Sequence, residues 1–253
     1  MPDTLRSTSS DDASVAQPLH VPIKRRSFFR YAGATAGATA LLLSGCNDDD
    51  NEVTANTVVD VGPGDVGVLN YAYALEQLEA AFYAEVLKGT YFTNLGPGSA
   101  ERQILTDIAL HEKIHADFFK TALAGSAIKD LTPDFSTIDF AVRRGTTGGK
   151  LGVLDAAKAF EDLGVAAYNG AGRFITDPRN LALAGKIVSV EARHAALIRD
   201  LLDPNSFVAN DVVDFSITSA TARQERSKSP TEVLVTVNKF LAEGSKVSAP
   251  SLV

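Results

Sequence analysis

The stretch His111-Glu112-Lys113-Ile114-His115, "HEKIH", decides how the rest of this sequence is read. It fits H-E-x-x-H, in which two histidines one helical turn apart hold a zinc ion and the glutamate between them activates water, as in a metallopeptidase. That reading needs a third protein ligand. Position 118, where the extended form of the motif has glycine, is Phe, and no histidine follows until His194. Glutamates from Glu161 onward could complete a zinc site, but they belong to a second pattern that explains them better.

The second pattern is an internal repeat. "AYALEQLEAAFY" (72–83) aligns without gaps on "AKAFEDLGVAAY" (157–168), matching Glu76 with Glu161 and Tyr83 with Tyr168. "IALHEKIHADFF" (108–119) aligns on "IVSVEARHAALI" (187–198), matching Glu112 with Glu191 and His115 with His194. Each half therefore carries a glutamate on one segment and Glu-x-x-His on the next. His111 falls opposite Val190, and Glu79 falls opposite Gly164.

An exposed Glu-x-x-His is ordinarily a surface pair worth about 0.2–0.5 kcal/mol. Here the flanking stripes are apolar: Leu105, Ile108 and Phe119 accompany Glu112 and His115, and Ile187, Ile198 and Leu201 accompany Glu191 and His194. The polar groups are thus expected to face an interior. An ionised carboxylate buried there costs several kcal/mol unless positive charge compensates it, and the stripes offer no lysine or arginine. Two divalent cations balance the four carboxylates of Glu76, Glu112, Glu161 and Glu191 with the histidines neutral. Oxygen-rich ligation with a few imidazoles suits iron or manganese.

Helical spacing predicts four long helices, at about 68–88, 99–124, 151–174 and 178–202, with caps at Ser99 and at Asp177 before Pro178. Residues 125–150 have no sustained period and read as a long crossover between the second and third helices. Two helix pairs joined in this way predict an all-α four-helix bundle over 67–205. Residues 203–228 have no evident fold. The tail 206–253 is expected to hold one short helix at about 230–243, opened by Ser229, Pro230 and Glu232.

The motifs "NYAYALEQLEAAFY", "HEKIHADFF", "AFEDLGVAAYNGAG" and "VEARHAALI" resemble those of the ferritin-like superfamily, in particular an exported bacterial branch that includes desiccation-associated proteins. The resemblance spans about 67–202. It implies metal ligands at Glu76, Glu112, His115, Glu161, Glu191 and His194, with Glu112 and Glu191 bridging two iron or manganese ions. Glu79, one turn after Glu76, is implied as a supporting or alternative ligand. Tyr83 and Tyr168 read as core residues whose hydroxyls support ligand carboxylates, and His111 as a carboxylate's partner or an ordinary helix histidine. The implied activity is that of an oxidoreductase acting on peroxide or dioxygen, ferroxidase or catalase/peroxidase-like, in oxidative or desiccation stress. A metal-stabilised stress-protection bundle without activity is the alternative, and the pattern is compatible with a homodimer.

The front of the chain reads as an address. "KRRSFFR" (24–30) followed by the short apolar run "YAGATAGATALLLSG" resembles a twin-arginine export signal over 1–45. "LSGC" (43–46) resembles a lipobox, which would put a lipid on Cys46, the only cysteine, at the start of an acidic tether over 46–66. The expectation is an exported protein held to a membrane, on its periplasmic or cell-surface side, by lipid. Removing 1–45 leaves 19 Lys+Arg against 28 Asp+Glu, a net charge of −9. Such a surface disfavours nucleic acid, whose affinity comes mainly from basic contacts to phosphate.

Overall fold

The computed structural model describes residues 58–218, 220 and 224–253. The segment expected to be an export signal, Cys46 and most of the expected tether lie outside them. In chain order the elements are β1 (Val59–Asp60), α1 (Gly64–Val86), the single turn α2 (Thr90–Thr93), α3 (Ala100–Leu123), β2 (Ile138–Asp139), β3 (Thr146–Thr147), β4 (Lys150–Gly152), α4 (Val153–Ala171), α5 (Pro178–Leu202), α6 (Pro230–Val237) and β5 (Val247–Ser248). Helix α1 packs along α3 and α4 along α5, so the bundle is two helical hairpins joined by the crossover. Among the described residues no helix is long and apolar enough to cross a membrane.

Local chemistry sets the helix ends. The Ser99 side chain accepts from the Arg102 amide at the start of α3, and Asp177 accepts from the Arg179 amide at the start of α5. Ser229 and Glu232 form a reciprocal capping box on α6. Arg143 and Arg144, from the crossover, donate to the carbonyls of Leu201 and Leu202 at 2.7 and 2.9 Å. Cations suit that end of α5, where carbonyl groups have no helical partner.

Helix α1 begins a turn earlier than its spacing predicts, inside a segment that reads as linker. The cause is distant in sequence. Asp65 in its first turn accepts from the Thr176 and Asp177 amides and from the Thr176 and Asn180 side chains, which fastens the start of α1 to the start of α5.

Two other expectations need correction. The crossover is not wholly irregular, because β2, β4 and β3 form a small sheet in which β4 runs parallel to β2 and antiparallel to β3. Strands of two or three residues carry no readable alternation. The tail helix ends at Val237 rather than 243. The Asn238 side chain there pairs with the backbone of Val247, and Lys246 Nζ donates to the carbonyls of Asn238 and Leu241, which turns the chain into β5. β5 then lies parallel to β1.

Apolar residues form two clusters. The larger includes Phe82, Leu105, Ile108, Phe160 and Ile198, and the smaller includes Tyr73, Phe119, Tyr168 and Ile187. On each long helix an acidic residue stands in sequence between members of the two: Glu76 on α1, Glu112 on α3, Glu161 on α4 and Glu191 on α5. Members of the larger cluster, such as Tyr71 and Leu78 on α1, stand on both sides of these residues, so the polar layer lies within the apolar core.

The tail is seated on α4 through Gly170. The Lys228 amide donates to the Ala166 carbonyl at 2.9 Å, and a Cβ at Gly170 would lie 1.8 Å from the Lys228 carbonyl oxygen. Gly170→Ala is therefore expected to lower stability by about 1–3 kcal/mol through overpacking. Gly172→Ala, where the nearest contact is 3.9 Å away, serves as the control in thermal unfolding.

Candidate metal centre

The interior-facing stripes of four helices deliver their polar residues to one place. Glu76, Glu112, Glu161 and Glu191 are fully buried, and His194 is nearly so. His115 Nδ1 lies 3.3 Å from Glu76 Oε2, 3.6 Å from Glu112 Oε2 and 2.9 Å from Glu191 Oε1. His194 Nδ1 lies 2.7 Å from Glu112 Oε1 and 3.6 Å from Glu161 Oε2. All six residues expected from the repeat are therefore together.

They converge at ion-pair distances but without hydrogen-bond alignment. Among the described residues ten buried side-chain nitrogen or oxygen atoms have no hydrogen-bond partner, and nine of these belong to Glu76, Glu79, Glu112, His115, Glu161, Glu191 and His194. An unpaired buried polar group costs about 1–3 kcal/mol, more when charged. Eight of the nine, all but Glu79 Oε2, are explained if their lone pairs aim at common points instead of at each other. Two groupings with donor atoms within 4.8 Å meet that description: Glu76, Glu112, His115 and Glu191, and Glu112, Glu161, Glu191 and His194. The donor set, rich in carboxylate with one imidazole per grouping, fits hard or borderline divalent cations such as manganese or iron.

The tyrosines sort the carboxylates. Tyr83 on α1 donates to Glu161 Oε1 on α4 at 2.5 Å, and Tyr168 on α4 donates to Glu76 Oε1 on α1. Each glutamate so held keeps only Oε2 unpaired, whereas Glu112 and Glu191 keep both oxygens unpaired and occur in both groupings. The crossed pairs also tie one helical hairpin to the other.

Glu79 is a fifth buried carboxylate at this level, which the repeat left uncertain. Its Oε1 lies 3.1 Å from where a Cβ at Gly164 would stand. Gly164 thus makes room for Glu79, and the pairing of glutamate with glycine across the repeat was the available signal. His111 is an exposed helix histidine, as one of its two expected readings has it, and its neighbour is an imidazole rather than a carboxylate. Its Nδ1 lies 2.9 Å from His194 Nε2, with the two rings stacked at 5.2 Å between centroids. His111 therefore does not join His115 in a grouping, and the zinc-peptidase arrangement is not formed.

Without a cation, protons must hold the cluster together. Burial opposes charge on His115, yet Glu112, Glu191 and Glu76 raise it to about 12. His194 is raised to about 10 against the same opposition, by Glu112 and Glu161. Burial also opposes ionisation of Glu112, but the two imidazoliums outweigh it and hold that carboxyl at about 2. Burial and neighbouring carboxylates push Glu79 and Glu191 well above the ordinary range, and burial above all raises Glu76 to about 7. A cation takes the lone pairs these protons occupy. Loading with Mn(II) at about pH 7 is therefore expected to release protons, and apparent affinity to weaken as pH falls from about 8 to 6. Because the shifted imidazoles and Glu76, Glu79 and Glu191 are all raised, acid only adds competing protons. A pH-indicator titration checks this, and binding without proton release would contradict it.

A comparison with curated proteins finds no match for this chain. The sequence model of the ferritin-like domain, however, matches residues 64–204, more than half of the chain and the span that contains all four long helices. The crossed hairpins, the acidic layer and this match agree: the chain belongs to the ferritin-like family.

Proposed function

We propose that this chain is an oxidoreductase whose dinuclear iron or manganese centre acts on peroxide or dioxygen, as a ferroxidase or a catalase/peroxidase-like enzyme. The eight unpaired nitrogen and oxygen atoms of the two groupings carry this reading. In it, Glu112 and Glu191, common to both groupings, would serve both metal ions, Glu76 and His115 would help hold one, and Glu161 and His194 the other. A bound metal pair supplies one-electron steps and Lewis acidity to a small oxidant.

The chain's own residues set the conditions. Tyr83 and Tyr168 each fix one oxygen of a terminal carboxylate and leave the other for the metal. Such outer contacts orient ligands and hold them ready. No tyrosine holds Glu112 or Glu191; their close neighbours are the ligand imidazoles themselves, so they are free to shift as the charge at the centre changes. Complete burial of the carboxylates admits only small reactants, which favours peroxide or dioxygen over larger substrates. The thinnest cover is at His115, whose side chain is 12% exposed.

The export signal and Cys46 support a lipid-tethered protein outside the cytoplasm, where peroxide protection in oxidative or desiccation stress is a fitting role. The same burial favours one alternative, a stress-protection bundle in which metal only stabilises the fold.

Purified full-length protein, reconstituted with Fe(II) or Mn(II), is expected to hold two ions per chain and to consume hydrogen peroxide or, with Fe(II), dioxygen. Glu112→Ala and His194→Ala are expected to lose bound metal and turnover together, with helicity checked by circular dichroism. Two bound ions without turnover would leave the structural role. Unchanged metal content in both variants would overturn the site.

A further inference from the structure

The two halves of the repeat treat their histidines differently. His194 directs Nδ1 toward Glu112 and Glu161, so its remaining ring nitrogen, Nε2, faces away from the cluster and meets His111 Nδ1 at 2.9 Å. His194 is 3% exposed, whereas His111 sits on the exposed side of α3. At the equivalent place in the other half stands Val190, which has no polar side-chain atom. Among the described residues no side chain or backbone group hydrogen-bonds His115 Nε2.

An imidazole offers a lone pair from one ring nitrogen only while its proton sits on the other, and the partner of that second nitrogen decides which tautomer prevails. An acceptor behind Nε2 therefore keeps Nδ1 of His194 available and holds the ring plane in place. Stacking of the His111 and His194 rings restrains the same plane. His115 has no such acceptor from the protein.

We infer that His111 is a positioning residue: it accepts a hydrogen bond from Nε2–H of His194 and so makes the cation position beside Glu161 and His194 the tighter of two unequal positions. The inference rests on the dinuclear reading above and deepens it, since the two ions would load in order rather than together. It also gives the "HEKIH" stretch a role for its first histidine, behind a ligand from another helix.

The test uses full-length protein titrated with Co(II), with its visible absorption read at each equivalent and binding constants taken by calorimetry. His111→Val installs the residue the other half uses at this place. His111→Asn keeps an acceptor, because Oδ1 takes the place of Nδ1. The wild type is expected to bind Co(II) in two separate steps. In His111→Val one step should weaken by about 10–100-fold while the other holds, and His111→Asn should restore most of the loss. Nitrogen NMR of the Zn(II)-loaded wild type should show His194 protonated at Nε2, with that signal broadened or lost in His111→Val. Two ions bound in wild type with both steps unchanged, or both weakened alike, in His111→Val would overturn this inference alone. Fewer than two ions in the wild type would overturn the dinuclear reading and this inference with it.

Discussion

Five carboxylates buried at one level of an apolar bundle, with no lysine or arginine among the described residues within ion-pair distance of them, are the constraint on which this structure depends. Like charges so close cannot all remain ionised in a medium of low polarity unless cations or protons compensate them. Among the described residues two imidazoles are the only basic partners present in the layer. The interior is therefore stable only in combination with something positive. That requirement links fold to chemistry more directly than any single contact.

The bundle meets it by building the same half twice and crossing the supports. Each hairpin contributes a terminal glutamate, a Glu-x-x-His and a tyrosine, but each tyrosine holds the other hairpin's glutamate. A shift between the hairpins would break both tyrosine bonds and expose carboxylates, so docking of the halves and geometry of the layer are coupled. Asp65 at the start of α1 and the two arginines at the end of α5 fasten the ends of the bundle outside the layer. The apolar core on both sides excludes water from it, which strengthens every electrostatic interaction within.

Much of this was legible because it is local or repeated. Apolar stripes with glutamate and histidine at helical spacing fix which residues share a face, and Ser99, Asp177 and Ser229 mark helix starts through short-range hydrogen bonds. What escaped is non-local. The pairing of β1 with β5 joins residues at opposite ends of the described chain through backbone alone, and the early start of α1 depends on groups near residue 176. Glu79 and His111 were legible only as supporting residues, for a different reason. Both break the repeat, and a symmetry argument ranks highest the residues that obey it. Gly164 opposite Glu79 and Val190 opposite His111 were visible in the alignment, but that one makes room and the other lacks a partner atom needs coordinates.

Anomalous diffraction from crystals of the Mn(II)-loaded protein tests the central claim most directly. The account predicts two peaks in the bundle interior, both touching Glu112 and Glu191, one also at Glu76 and His115 and the other at Glu161 and His194. A single peak, or peaks confined to surface carboxylates while the interior layer stays protonated, would contradict it.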